Sequence, residues 1–418
     1  MTARTLRAAV TLLILLALWG CAPARPAYVA PEVTIGRPSF ARAVEAHTLS
    51  GLVADNRVEL LLNGDEIFPA MLSAIRGARH SITLANYVYE KGAIAQEIAE
   101  ALAGRCRDGV AVNILVDAVG STAMPSEARE VLDRSGCHLV RFHPLNPLNA
   151  RRLNHRNHRR SLVVDGRVAF TGGTGIGEKW TGDGRHEGHW RQTDVKLEGP
   201  IVRYIQAAFA ETWREETSVL LGGDAYFPQP QPRGSVQAQS VKSSPGGGSA
   251  KAYTLFLLAI EGARSSIVLT TPYFVPDEGI ATALLKAVAR GVRVSVLVAG
   301  EADTFLDRTM RKASQQAFGR ALAGGIKIYE YKGAMLHAKT LSVDSTWASI
   351  GSANMDNRSF ALNHELNVVF NDASIAKRLE EIFRDDLAFA REVTHEAWRR
   401  RGLNRMFELI VLPMRDVL

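Results

Sequence analysis

The chain carries the string His337-Ala338-Lys339-Thr340-Leu341-Ser342-Val343-Asp344, and Gly351-Ser352-Ala353-Asn354 follows it. It reads H-x-K-x4-D. A second, imperfect copy starts at His158 as His158-Arg159-Arg160-Ser161-Leu162-Val163-Val164-Asp165, trailed by Gly172-Gly173-Thr174-Gly175. Two such half-sites in one chain imply a single active site built from both. Two imidazoles among basic groups and amide donors suit displacement at a phosphodiester.

The spacing has a physical reading. The runs after each histidine are rich in Leu and Val (Leu162, Val163, Val164; Leu341, Val343) and read as buried strands. Side chains alternate across a strand, so His337 shares a face with Lys339, and His158 with Arg160. Each half then offers a nucleophile or acid beside a fixed cation. Asp165-Gly166 reads as a tight turn. Gly172-Gly173 and Gly351-Ser352 come after the next strand, where small residues let a substrate approach the backbone. A single histidine in such a place reads as structural; the duplication turns the reading to phosphoryl transfer.

The duplication extends beyond the strings. Ala74-Ile75-Arg76-Gly77-Ala78-Arg79-His80-Ser81-Ile82 is echoed by Ala259-Ile260-Glu261-Gly262-Ala263-Arg264-Ser265-Ser266-Ile267. Asp108-Gly109-Val110-Ala111-Val112 is echoed by Arg290-Gly291-Val292-Arg293-Val294. Each unit reads helix, strand, helix, strand and then the histidine strand, which predicts an α/β fold with a mostly parallel core sheet. A repeat of about 180 residues is domain-sized rather than a solenoid period. The chain has 418 residues, 46% of them hydrophobic, enough to bury two ordinary cores. Pro228-Gln229-Pro230-Gln231-Pro232-Arg233-Gly234 and Ser243-Ser244-Pro245-Gly246-Gly247-Gly248-Ser249 have loop composition. The expected domains are 46–228 and 251–395, joined by 229–250 as a linker or lid and followed by a basic amphipathic segment, 396–418.

Arg4 and Arg7 precede an apolar run from Ala8 to Trp19. That run is too short to span a bilayer core of ~30 Å and fits the core of a signal peptide. Its end, Leu18-Trp19-Gly20-Cys21, resembles the lipobox of bacterial lipoproteins, with Trp19 departing from the usual small residue. The resemblance implies a 1–21 signal peptide, lipidation at Cys21, a flexible tether over 22–45, and a periplasm-facing, lipid-anchored protein with the outer membrane favoured by Ala22. Outside the cytoplasm a Cys106–Cys137 disulfide is permitted, but spacing does not decide whether the two meet. The pairs His155/His158 and His186/His189 have zinc-compatible spacing, yet no carboxylate or thiol completes a site, so no metal is expected.

The formal net charge is +7. Arg151, Arg152, Arg156, Arg159 and Arg160 form a cluster that suits a nucleic acid, a phospholipid surface or a phosphodiester site equally. Aromatic residues are not interleaved with it, which removes the stacking platform of single-strand binders. The segment from Trp398 to Leu412 mixes arginines with Trp and apolar residues. It suits a headgroup layer or a helix packed on the domain.

The doubled string resembles the phospholipase D superfamily signature H-x-K-x4-D-x6-G-G/S-x-N, which the second copy matches at every position. Asn154 to His158, Asp165 to Gly173, Thr271 to Asp277 and Gly351 to Phe360 are similar to the bacterial cardiolipin synthase branch. The resemblance implies two tandem α/β/α repeats with pseudo-twofold symmetry and one shared active site in a monomer. It implies a covalent phosphohistidine on His158, with His337 as acid and base and no cofactor. Lys339, Arg160 and Asn354 would surround the phosphoryl oxygens. Gly172, Gly173, Gly351, Ser352 and Arg156 would line the substrate site, and Asp165 and Asp344 would brace the motif. Glu365 stands where the superfamily has a histidine-orienting acid, and alignment of the repeats sets Asp194 opposite it. Many cardiolipin synthases carry W-R-D-T-H where this chain has Trp190-Arg191-Gln192-Thr193-Asp194. Arg160 replaces the motif Lys, and Gly175 the motif Asn.

The function so implied is transfer of a phosphatidyl group to a lipid alcohol, from phosphatidylglycerol or phosphatidylethanolamine at a membrane surface. Hydrolysis of the same intermediate by water is the alternative. A nuclease is disfavoured by the anchor and the missing stacking residues, and no nucleic acid is expected. A non-catalytic lipid-binding lipoprotein draws support from Arg160 and Gly175 alone.

Overall fold

The apolar runs behind each histidine become central strands. Ser161–Val164 and Thr340–Val343 are buried at every position, as strands covered on both faces must be. The structure, a computed structural model, describes residues 28–144, 154–245, 250–302 and 304–400. Cys21, Arg151, Arg152, residues 246–249 and residues 401–418 lie outside the described residues.

In chain order the first half is α1 (Pro38–Thr48), β1 (Val53–Leu62), α2 (Asn63–Gly77), β2 (Ser81–Asn86), α3 (Ala93–Arg107), β3 (Ala111–Asp117), α4 (Ser126–Arg134), β4 (His138–Phe142), β5 (Arg156–Asn157), β6 (Ser161–Val164), β7 (Val168–Thr171), β8 (Thr193–Glu198) and α5 (Val202–Thr217). The second is β9 (Val236–Ser243), α6 (Lys251–Gly262), β10 (Ser266–Thr270), β11 (Phe274–Val275), α7 (Glu278–Ala289), β12 (Arg293–Ala299), α8 (Phe305–Ala323), β13 (Lys327–Tyr331), β14 (Thr340–Val343), β15 (Trp347–Gly351), β16 (Met355–Asp356), α9 (Asn357–Ala361), β17 (Asn363–Phe370), α10 (Ala373–Leu387), β18 (Ala390–Val393) and α11 (His395–Arg399). Each half holds one more helix–strand pair before its histidine strand than the sequence pattern predicts.

One sheet runs through both halves in the order β18-β13-β12-β10-β14-β15-β17-β9-β1-β8-β7-β6-β2-β3-β4. Apart from β18, the order is symmetric about the antiparallel β9–β1 pair. That symmetry is the pseudo-twofold. The sheet is mixed rather than mostly parallel. Helical crossovers make β2-β3-β4 and β10-β12-β13 parallel. The turns at Asp165-Gly166 and Asp344-Ser345 are too short for a crossover, so β6–β7 and β14–β15 are antiparallel hairpins.

Alternation along the strands supplies two cores. Ile82, Leu84, Ile114 and Val116 pack under α2, α3 and α4, while Ala85, Leu115 and Val163 face α5 on the other side. In the second half Ile267, Leu269, Val294 and Val296 pack with residues of α6, α7 and α8, and Ile350 and Val368 with α10. Cys106, at the end of α3, is disulfide-bonded to Cys137, just before β4, with Cα atoms 5.6 Å apart. Trp398 of α11 is buried, and its indole N–H donates to the Gln315 carbonyl at 3.0 Å, so this part of the C-terminal segment packs on α8. Among the described residues no helix is long and apolar enough to cross a membrane.

Candidate active site

Each histidine is held in place by the other half. β5 of the first half pairs in parallel with the start of β17, Asn157 opposite His364, and the His158 N–H donates to the His364 carbonyl at 3.0 Å. In mirror fashion Leu336 bridges Arg191, and the His337 N–H donates to the Arg191 carbonyl at 2.8 Å. The strands proper begin at Ser161 and Thr340. His158 and Arg160, like His337 and Lys339, therefore lie in the lead-ins to β6 and β14, where the two halves meet.

Glu365 is fully buried, and its two carboxylate oxygens lie 2.9 and 3.0 Å from Nδ1 of His158. Ser352 donates its hydroxyl to the same carboxylate, and Asn363 Nδ2 donates to Oε1 at 3.3 Å. The Tyr87 ring meets the His158 ring edge-on at 5.1 Å between centroids. Burial is the largest influence on His158 and pushes its pKa down. Glu365 opposes this, Arg160 and Lys339 reinforce it, and the result is about 4. A neutral imidazole that gives Nδ1–H to Glu365 keeps the lone pair of Nε2 available.

His337 sits among the rings of Trp180 and Trp190, with centroids 6.0 and 5.1 Å away. Burial, then Lys339 and Arg160, hold its pKa well below the ordinary value. Both cations are buried as well. Burial pushes Arg160 down to about 10, and burial with the neighbouring Arg160 pushes Lys339 well below its usual range. Lys339 Nζ donates to the His337 carbonyl at 2.6 Å. Nε and Nη1 of Arg160 are buried without a hydrogen-bond partner, as is Nδ2 of Asn157. Such donors, stripped of water, strongly favour an anion with several acceptor oxygens.

The remaining sequence-selected residues take other places. Asp165 and Asp344 stand at the far ends of β6 and β14 from the histidines. Asp165 accepts the backbone N–H groups of Arg79, His80 and Ser81, and Asp344 those of Arg264, Ser265 and Ser266. They fasten the strand ends and touch no reacting group. Arg156 is turned inward, donating to the His143 and His155 carbonyls and lying 3.5 Å from Asp117. Gly172 and Gly351 make room for the neighbouring strand rather than for a substrate: a Cβ on Gly172 would strike the Asp194 carboxylate, and one on Gly351 the Leu366 carbonyl. A Cβ on Gly173 would strike the Gln192 amide. A Cβ on Gly175 would strike the Trp180 ring.

Asp194 does not stand opposite Glu365. Thr171 pairs with Val195 and Gly351 with Asn367, so Gly172, the counterpart of Gly351, faces Asp194, the counterpart of Asn367. Glu365 therefore corresponds to Gln192. Asp194 accepts from the Gly173 N–H at 3.0 Å and from Gln192 Nε2 at 2.9 Å. Gln192 and Asp194 lie two residues apart, a spacing that keeps the strand face and leaves hydrophobic periodicity unchanged.

Arg159, from the basic cluster, is also internal. It donates to the Ala208 and Ser243 carbonyls at 2.8 and 3.0 Å and pairs with Glu211 at 2.9 Å. His186 bonds Asp183 at 3.0 Å and His189 the Thr181 carbonyl at 2.7 Å. Among the described residues no cluster of His, Cys, Asp and Glu is arranged to hold a metal ion.

Comparison with known proteins points in one direction. The family profile described as "Cardiolipin synthase, PLD-like domain" matches residues 256–387. The chain is 36% identical over 349 residues to cardiolipin synthase 2 of Bacillus cereus, covering 82% of this chain and 67% of that one. It is 33% identical over 353 residues to the major cardiolipin synthase ClsA of Bacillus subtilis, covering 84% and 72%. Cardiolipin synthase A of Pseudomonas aeruginosa is 36% identical over 369 residues, covering 88% and 74%. Among solved structures, phosphatidylserine synthase of Haemophilus influenzae superposes with a TM-score of 0.69 over 91% of this chain and 100% of that one, at 13% identity. Polyphosphate kinase from Porphyromonas gingivalis, at 14% identity, superposes with a TM-score of 0.54 over 88% of this chain and 53% of that one. Both share the fold alone, and a fold hosts more than one chemistry.

Proposed function

We propose that this chain, which belongs to the cardiolipin synthase family of phospholipase D-like proteins, moves a phosphatidyl group from phosphatidylglycerol to the free hydroxyl of a second phosphatidylglycerol. As a member of that family it is a phospholipid phosphatidyltransferase. The observation that carries the reading is the pair of buried imidazoles, one from each half, flanking the buried cations Arg160 and Lys339.

The chemistry follows from those groups. Arg160, Lys339 and Asn354 take the phosphoryl oxygens and stabilise charge developing on them. Nε2 of His158 attacks phosphorus while Glu365 holds Nδ1–H. A P–N bond forms, the P–O bond to the departing headgroup breaks, and the alkoxide takes a proton from His337. The arriving lipid hydroxyl then loses its proton to His337 and attacks phosphorus. The P–N bond breaks, and its electron pair returns to His158. An anionic phosphodiester in the site raises the proton affinity of His337, which supplies the acid for the first step.

One chain holds both half-sites, which supports a monomer as the working unit. Anchoring at Cys21 to the periplasmic face, with the outer membrane favoured, belongs to the same proposal. The Cys106–Cys137 disulfide supports an oxidising compartment. The test is to incubate the protein with phosphorus-labelled phosphatidylglycerol, quench in alkali, and map the labelled peptide. Label on His158 is expected. Label on His337 reverses the roles, and label on neither contradicts a covalent histidine intermediate.

A further inference from the structure

The two histidines have matching backbones and unmatched partners. Around His158 the register runs Asn157 opposite His364, then His158 opposite Glu365. Around His337, Leu336 bridges Arg191, and the next residues along the two segments are His337 and Gln192. The backbone hydrogen bonds that fix the two rings are also the same, 3.0 and 2.8 Å. A carboxylate meets the His158 ring, and the corresponding position in the other half carries the carboxamide of Gln192. Nδ1 of His337 and Oε1 of Gln192 are both buried and without a hydrogen-bond partner. The amide orientation is set from behind, because Nε2 of Gln192 donates to Asp194 Oδ1 at 2.9 Å. That bond leaves Oε1 of Gln192 without a donor, as Nδ1 of His337 is without an acceptor.

We propose that Gln192, oriented by Asp194, is the positioning residue of His337, and that its neutral carbonyl in place of a carboxylate keeps His337 unprotonated until the anionic substrate raises its proton affinity. This deepens, and rests on, the two-histidine phosphatidyl transfer proposed above. The carbonyl fixes the Nδ1–H tautomer and aims Nε2 at the leaving oxygen, but it stabilises an imidazolium far less than an ionised acid does. The charged groups that act most strongly on His337 are cationic or potentially so: Lys339 on its own lead-in, Arg160 and His158 from the first half, and Lys179 from the short helix Glu178–Trp180. No carboxylate is among the strongest influences on His337, whereas Glu365 is among those on His158. Asp194 stays one residue removed, screened by the amide it holds.

The test exchanges the two groups. The Gln192→Glu, Asp194→Asn double variant keeps a carboxylate and a carboxamide bonded to each other but turns the carboxylate toward His337. In the full chain, the alkaline limb of the kcat/KM profile for phosphatidylglycerol is expected to move up by about one pH unit or more, the effect of an opposite charge at contact distance. Gln192→Ala serves as a second probe. It should slow transfer from phosphatidylglycerol by about 10²-fold, the lower range for a positioned acid. It should leave the first-turnover burst of p-nitrophenolate from a phosphatidyl p-nitrophenyl ester within about threefold, because that leaving group needs no proton and the burst precedes the step in which His337 acts as base. An unmoved profile, a shift of the acid limb instead, or equal losses on both substrates overturns the proposal while wild-type turnover stands. Absence of wild-type turnover on phosphatidylglycerol overturns the functional reading, and this inference with it.

Discussion

Glu365 of the second half hydrogen-bonds Nδ1 of His158 of the first half, at 2.9 and 3.0 Å from its two oxygens. The nucleophilic half-site is therefore complete only when both halves are assembled. Glu365→Gln keeps the shape and one acceptor but removes the charge that stabilises the phosphorylated ring. Turnover should fall by about 10²–10⁴-fold while the melting temperature stays near that of the wild type. Steady-state transfer rates and a thermal melt on the same preparation check this. Equal rates would remove Glu365 from the mechanism.

Asp344 accepts backbone N–H groups from Arg264, Ser265 and Ser266 at 2.8, 2.7 and 2.9 Å. Its own backbone adopts a left-handed φ of 54°. Asp344→Ala leaves those donors without an acceptor and forces alanine into a disfavoured conformation. A stability loss of about 2–4 kcal/mol is expected by denaturant titration. Transfer per folded molecule should remain within a few-fold, which separates a fastener from a reacting group. Asp165→Ala should behave alike.

Much of this was legible beforehand, for identifiable reasons. The doubled string located both histidines and both cations because chemistry fixes those residue types at that spacing. The repeat echoes located the helices that cover each half. The mixed sheet was missed because periodicity reports burial but not strand direction, which the short turns at Asp165 and Asp344 decide. Gln192 was missed because it lies two residues from Asp194 on one strand face, and only the ladder register distinguishes the two. Arg156 was expected to line the substrate site, and Arg159 to belong to a basic cluster suited to a nucleic acid, a phospholipid surface or a phosphodiester. Their partners, Asp117 and Glu211, lie far away in sequence.

The Cys106–Cys137 bond closes a sequence separation of 31 residues within the first half, remote from both histidines. Cys106→Ser should cost about 3–4 kcal/mol of stability on the loop-entropy estimate and leave transfer unchanged at a temperature where the variant is folded. Reduction of the wild type with dithiothreitol should reproduce the same shift. An unchanged melting temperature after confirmed reduction would contradict a stabilising role for the bond.

Acid should unfold the protein readily. Burial holds His158 at about 4 and, with Arg159, His364 at about 3, against ~6.5 in an unfolded chain. Between those values the unfolded state binds more protons. The contribution is thus fully present above pH ~6.5 and is lost as pH falls toward 4, on the order of 3 kcal/mol for each ring. His143 acts in the opposite sense, because Glu215 raises it against the effect of burial. Melting temperatures should drop steeply from pH 7 to 5, and His364→Phe should flatten the slope. An equally steep slope in that variant would assign the loss to other groups.

The most direct measurement is a product assay. Protein lacking residues 1–21 is mixed with labelled phosphatidylglycerol in micelles, beside His158→Ala and His337→Ala controls. The wild type should form cardiolipin and release glycerol in equal amounts, and both controls should form none. Phosphatidic acid alone would make the protein a hydrolase. Cardiolipin formation at full rate by either control would contradict the two-histidine site.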